Sequence, residues 1–260
     1  MPKIPTLVEM LQSGMHFGHT SSRWHPKMKP FIFGERNGIH IIDLEKTQTQ
    51  LEAALNLLKE IASRGGVILF VGTKIQAKSI VQKYAEACGM PYVNQRWLGG
   101  TLTNFHQLKE TLKRLKMLKD QREKGELKKY TKKEQLLLNR EIEEMEVKVG
   151  GIQQITKIPD AIFVIDIRTE KTAVQEAQVT KTKAIAVCDT NVNPAGVDAI
   201  IPANDDAVKS IELVCKLACE AIKEGKANAA KVVADKAAAE KEQENVVVES
   251  IVEDVVTDAS

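Results

Sequence analysis

Apolar residues recur along this chain with two periods that take turns. Ile39-His40-Ile41-Ile42 reads as a short strand, and Leu51, Ala54, Leu55, Leu58, Ile61 and Ala62 then fall on one face of a helix that Gly65-Gly66 ends. Val67 to Val71 is an unbroken apolar run, as expected of a strand covered on both faces in a parallel sheet. A helix follows with Ala77, Ile80, Val81, Tyr84, Ala85 and Cys88 turned inward and Gly89 closing it. Tyr92-Val93 is a short strand. Ala161 to Ile165 is a strand, 171–179 a helix, Ala184 to Cys188 a strand and Ala199 to Ile201 a short strand, before a final helix from about Asn204 to Lys223. Strands alternating with helices imply right-handed crossovers and an α/β fold whose parallel sheet is covered on both sides.

A different period interrupts this pattern. Phe105, Leu108, Leu112 and Leu115, and then Leu138, Ile142, Met145, Val149 and Ile152, alternate steps of three and four, which makes a coiled-coil seam. Gly125 lies in a polar turn between the two stretches, and Thr131 with Glu134 forms a capping box. Residues 103–150 are therefore expected to form an inserted antiparallel coiled-coil hairpin that projects from an α/β globular domain made of 1–102 and 151–225. At the other end of the chain, Thr6 with Glu9 is another capping box, predicting a short helix to about Gly14. Residues 15–38, dense in His, Arg, Lys, Trp, Phe and Pro, read as a loop.

Composition adds little until it is divided. The chain has 260 residues, 43% of them apolar and 28% charged, which is ordinary for a globular protein with a core. Its apolar runs are far shorter than the ~18 residues a membrane span requires. No long apolar stretch precedes the first charges, so no secretory signal is expected. Cys88, Cys188, Cys215 and Cys219 show no zinc or redox spacing and read as apolar filler in a reducing compartment. The net charge of +2 conceals a basic body: 227–260 carries −5 and the rest +7. The acidic tail, 226–260, has no aromatic residue and is expected to be disordered, or to order only on a partner. The basic body points to a polyanion. Residues 108–133 alone hold eleven Lys or Arg against four acidic residues, the other reading being a merely solvated helix face.

Four segments can carry chemistry. Val71-Gly72-Thr73-Lys74 follows a strand but lacks the further glycines of a dinucleotide fingerprint and of a phosphate loop. Arg96-Trp97-Leu98-Gly99-Gly100-Thr101-Leu102-Thr103-Asn104 brings two glycines and an Arg to a helix start, which suits a phosphate or simply turns the chain into the hairpin, with Thr103 or Asn104 as the cap. In 16–38, Arg and Lys can neutralise phosphates while Trp, Phe and His pack on sugars or bases; Phe31 and Phe33 are expected to tuck inward. Asp189, Asp205 and Asp206 follow strands, so they can converge on one edge of the sheet and hold a divalent cation, magnesium or, with His16 or His19 folded over that edge, zinc. The alternative is that Asp205 and Asp206 supply charge to a helix start. No Ser-His-Asp or Cys-His arrangement with local context is present.

These segments resemble one family. Val8 to His19, Trp24-His25-Pro26-Lys27-Met28-Lys29-Pro30, Ile32 to Thr47, Leu69 to Lys74, Arg96 to Asn104, Thr131-Lys132-Lys133-Glu134, Pro159-Asp160-Ala161, Asp189-Thr190-Asn191 and Asn204-Asp205-Asp206-Ala207 look like small ribosomal subunit protein S-two of bacterial type, over about 6–225. The resemblance implies a structural constituent of the small subunit and not an enzyme. The implied fold is a three-layer α/β/α sandwich with a parallel, Rossmann/flavodoxin-like sheet and an inserted coiled-coil hairpin. It further implies a cytoplasmic particle, contact with 16S-type rRNA and help in docking protein S-one, with no membrane. On that reading Arg23, Trp24, Lys27, Lys29, Arg36, Arg96, Lys109, Lys113, Arg114 and Lys116 face rRNA. Thr180 to Lys183, Ala203 and Gln95 depart from the family pattern and put the local loops and the cation site in question. The competing reading is a Rossmann-like enzyme that binds a phosphorylated small molecule at Gly72 or Gly99-Gly100.

Overall fold

The structure, a computed structural model, describes residues 4–229. Five strands form a parallel sheet in the order β5-β4-β6-β7-β8: β4 is Ile68–Val71, β5 Tyr92–Val93, β6 Ala161–Ile165, β7 Lys183–Cys188 and β8 Ala199–Pro202. Registers are continuous, Phe70 opposite Phe163 and Phe163 opposite Ile185. Alternation decides which layer each side chain joins. Ile68, Phe70, Phe163, Ile165, Ile185 and Val187 point into a cluster with α2 (Leu44–Ser63), α3 (Lys78–Cys88) and a last helix, α7, from 208 to 229. Leu69, Val71, Ile162, Val164, Ala184 and Ala186 point to the other face, against α6 (Lys171–Thr180). The sheet is thus sandwiched between helices, as the unbroken apolar runs require.

The first turn of the chain behaves as its sequence predicts. Thr6 and Glu9 close a reciprocal capping box on α1 (Leu7–Gln12), and Gly14 takes a φ of 77° just beyond it. The expected loop over 15–38 is in fact ordered as a second sheet. β1 (Phe17–Thr20), β2 (Ile32–Arg36) and β3 (Ile39–Ile42) pair antiparallel in the order β1-β3-β2, with 3-10 turns at Ser21–Arg23 and Pro26–Phe31. Asn37 and Gly38 both take positive φ, 54° and 75°, as the tight hairpin turn between β2 and β3 demands. Ile39–Ile42 therefore belongs to this small sheet and not to the parallel one.

Helices α4 (Phe105–Glu123) and α5 (Lys132–Val149) fill the interruption, and Thr131 and Glu134 cap α5 as a box. Leu108, Leu112, Leu115, Leu118 and Ile142 are buried between them, and ion pairs Arg114–Glu141 and Lys119–Glu146 link the two helices. That seam runs without a break into the cluster beneath Leu69 and Val164. All four cysteines are buried and unpaired. The last helix outlasts its expected end at Lys223, and the remainder of the acidic tail, from 230, lies outside the described residues.

Candidate functional site

Residues just past the C-terminal ends of β4, β6, β7 and β8 gather on one edge of the parallel sheet. They are Lys74, Asp166, Asp189, Asp205 and Asp206. The small N-terminal sheet folds across this edge. The His19 amide donates to Thr190 Oγ1 at 3.0 Å, and the His25 amide donates to the Thr190 carbonyl at 2.8 Å. Gly18 makes that approach feasible, since a Cβ there would lie 2.7 Å from Thr190 Cγ2. His19 consequently reaches Asp189 through Nδ1 at 2.9 Å and Asp206 through Nε2 at 3.6 Å. Its hydrogen bond to Asp189 holds the imidazole pKa above the ordinary value of 6.5, against the effect of burial.

Lys74 supplies the other positive charge. Its Nζ lies 2.8 Å from Asp205 Oδ1, 2.6 Å from Asp206 Oδ1 and 3.9 Å from Asp166 Oδ2. Carboxylates still outnumber cations here. Burial, with Asp166 and Asp189 nearby, pushes the Asp205 carboxyl up to about 7, and its Oδ2 is buried without a hydrogen-bond partner. His19, Asp205 and Asp206 offer ligand atoms within 4.8 Å of one another. His16 is elsewhere: it lines a groove with Leu7, Val8, Leu11 and Phe33. Asp205 and Asp206 stand just ahead of α7, and Asn204 Oδ1 accepts from the Asp206 and Ala207 amides at 2.7 and 3.0 Å.

In both glycine loops backbone amides are engaged by carboxylates of the chain itself. The Thr73 amide donates to Glu170 Oε1 at 2.9 Å, and Gly72 is small because Val81 packs where its Cβ would be. In the second loop, Glu176 takes every inward donor. Oε1 accepts from Trp97 Nε1 (3.0 Å) and the Gly100 amide (2.8 Å), while Oε2 accepts from the amides of Leu102 (2.9 Å) and Thr103 (3.2 Å) and from the Thr103 hydroxyl (3.3 Å). Burial opposes the Glu176 charge, but these donors outweigh it and hold the carboxyl below its ordinary 4.5. The two carboxylates stand at the N-cap and in the body of α6, so one helix occupies the two places where the enzyme reading puts a ligand. Asn104 sits at the N-cap of α4 without a side-chain bond, and Thr103 is engaged by Glu176, so neither caps as expected.

The sequence-predicted cations are spread over two surfaces. Arg23, Lys27, Lys29 and Arg36 are exposed on the small sheet and its turns, and Trp24, 37% exposed, lies 5.5 Å from the His40 ring. Phe31 packs inward, whereas Phe33 is 80% exposed, because it stands on the outer face of β2. Arg96 is exposed ahead of the Glu176-held loop. On α4, Lys113 pairs with Glu110 at 2.8 Å and Arg114 with Glu141 at 2.6 Å, Lys109 lies 5.0 Å over the Phe105 ring, and Lys116 is exposed. Among the described residues, Arg23, Lys27, Lys29, Arg36, Arg96, Lys109 and Lys116 have no acidic partner.

A five-stranded parallel sheet covered by helices on both faces places the chain in the α/β, Rossmann-like class. Comparison with known proteins supplies the family. A family model described as Ribosomal protein S2 matches residues 10–225. A protein of a Nitratiruptor species named small ribosomal subunit protein uS2 is 48% identical over 221 residues, covering 85% of this chain and 83% of that protein. A protein of the same name from Campylobacter lari is 49% identical over 219 residues, 84% of each. The chain belongs to the ribosomal protein S2 family, a family of structural proteins of the small ribosomal subunit and not of enzymes.

Proposed function

We propose that this chain, as a structural constituent of the small ribosomal subunit in the cytoplasm, grips 16S-type rRNA through two cationic surfaces. One is the small sheet with Arg23, Trp24, Lys27, Lys29 and Arg36; the other is Arg96 with the α4 residues Lys109, Lys113, Arg114 and Lys116. The observation that carries this reading is the set of exposed cations without acidic partners on a rigid frame, since an unpaired Lys or Arg can exchange counterions for phosphates. Lys113 and Arg114 already have carboxylate partners, so their share is smaller. Reversing charge at Arg23, Lys27, Lys29, Arg36 and Lys116 together is expected to leave the circular dichroism spectrum unchanged and to deplete the chain from small subunits on a sucrose gradient. Normal incorporation of that variant overturns the reading.

Two further roles go with it. The groove lined by Leu7, Val8, Leu11 and Phe33 offers exposed apolar side chains to a protein partner, which supports a part in docking protein S-one. The polar edge suits a divalent cation. His19 with Asp205 and Asp206 is a nitrogen–oxygen donor set that favours zinc over magnesium, and the orphaned Asp205 Oδ2 is the ligand atom left to satisfy. Such an ion supplies positive charge that ties β1 to the strand ends. Metal analysis of the purified chain is expected to find zinc that His19→Ala removes; equal metal content in wild type and variant overturns the site.

A further inference from the structure

On the same sheet edge, but beyond the His19 and Lys74 network, a cavity of about 320 Å³ opens between α6 and the loop from 189 to 198. Nothing in the roles above uses it. Its size falls in the range of small-ligand pockets. Its chemistry divides into three parts. Arg168 and Lys171 bring two cations, and no acidic side chain lines the cavity. Neither has a carboxylate partner among the described residues. α6 begins at Lys171, and its N-cap residue Glu170 turns its carboxylate away to the Thr73 amide, leaving the helix start without a side-chain cap.

The second part is a set of amides. Gln178, Asn191 and Asn193 present both donors and acceptors, and the Asn191 Oδ1 is buried without a hydrogen-bond partner. An amide oxygen left in that state is costly unless something donates to it. Gln178 packs over Gly196, where a Cβ would collide with its amide nitrogen. The third part is an apolar wall of Ile167, Val174 and Val192. Two cations, three amide side chains and an apolar patch are complementary to one nucleotide: phosphate, base edge and base face in turn.

We propose that this cavity binds a single unstacked nucleotide, its phosphate at Arg168 and Lys171 and its base edge at Asn191. The nucleotide is either free or a splayed-out residue of single-stranded RNA. Only the second source rests on the RNA-binding function proposed above. The test uses the full chain, wild type and the double variant Arg168→Ala/Lys171→Ala, titrated calorimetrically with AMP, GMP, CMP, UMP, inorganic phosphate and an unstructured ten-nucleotide RNA. Saturable binding of a mononucleotide, weakened at least ~tenfold in the double variant, supports a free ligand. Binding of the oligomer alone, with the same loss, supports RNA as the source. In either case Asn191→Ala changes the ranking among bases, and phosphate alone binds more weakly than the nucleotide. Circular dichroism and thermal melting confirm that the variants fold. Binding that neither substitution weakens, or phosphate binding as tightly as any nucleotide, overturns the pocket, as does the absence of binding by every probe. Reversal at Arg23, Lys27 and Lys29 separates the two ideas, because it removes bulk RNA retention while leaving mononucleotide binding intact.

Discussion

A single carboxylate fixes the geometry of the loop that leads into α4. Glu176 accepts from five groups of residues 97–103, three of them backbone amides, and is 7% exposed. Removing it strands buried donors, so Glu176→Ala is expected to cost about 3 kcal/mol, with Glu176→Gln less severe, in urea unfolding at pH 7. The pH dependence has a definite sign. The carboxyl is held below its ordinary 4.5 in the folded chain, so its contribution is present above that value and is lost as pH falls through the folded pKa. The variant should therefore lose less stability than the wild type between pH 6 and pH 3. Gly18 is the second residue of this kind. Gly18→Val drives side-chain atoms into Thr190 and the His40 carbonyl, and is expected to detach β1 from the sheet edge, read as faster hydrogen exchange at the His19 amide.

Among the elements, α6 sets the state of the two glycine loops at the sheet edge. Glu170 accepts from the Thr73 amide of one loop, and Glu176, six residues on, accepts from the Gly100, Leu102 and Thr103 amides of the other. Phosphates and nucleotides therefore should not protect residues 72–74 or 99–101 from exchange. The β2–β3 hairpin is the other element with a local cause. Its Asn37-Gly38 turn places both residues at positive φ, and Gly38→Ala is expected to cost about 1 kcal/mol by thermal melting. That dipeptide is a legible hairpin signal. Two things obscure it: the surrounding cations make 15–38 read as loop, and β2 alternates weakly, with Gly34 separating an outward Phe33 from Glu35. The helical period of α4 and α5, by contrast, is plain in steps of three and four.

Across the molecule, charge placement matters more than net charge. Exposed cations without acidic partners sit on the turns between β1 and β2, on β2 and on α4, while a cluster of carboxylates faces His19 and Lys74 at the strand ends beneath β1. Binding to rRNA fragments is accordingly expected to fall steeply with salt, and the slope of log affinity against log salt should shrink by about one for each phosphate-contacting Lys or Arg removed. A slope unchanged in Lys27→Ala/Lys29→Ala would exclude those two positions from the interface.

The order and type of the main elements, both capping boxes, the two-sided burial of the parallel strands and the cation-rich segments can all be read along the chain, because each is set by neighbours within a few turns. The family resemblance is carried there too. Which distant groups meet is settled only by folding. Thr190 holds β1 across a separation of 171 residues, and Glu176 reaches Gly100 across 76. His19, and not His16, faces the carboxylates for the same reason: His19 lies on β1 where it crosses the sheet edge, whereas His16 precedes the strand and lines the groove beside α1. Side chains that gain partners only when strands and helices cross leave no periodic mark in the chain, so the roles of Glu170, Glu176 and Lys74, and the cavity beside Asn191, emerge only from the assembled sheet.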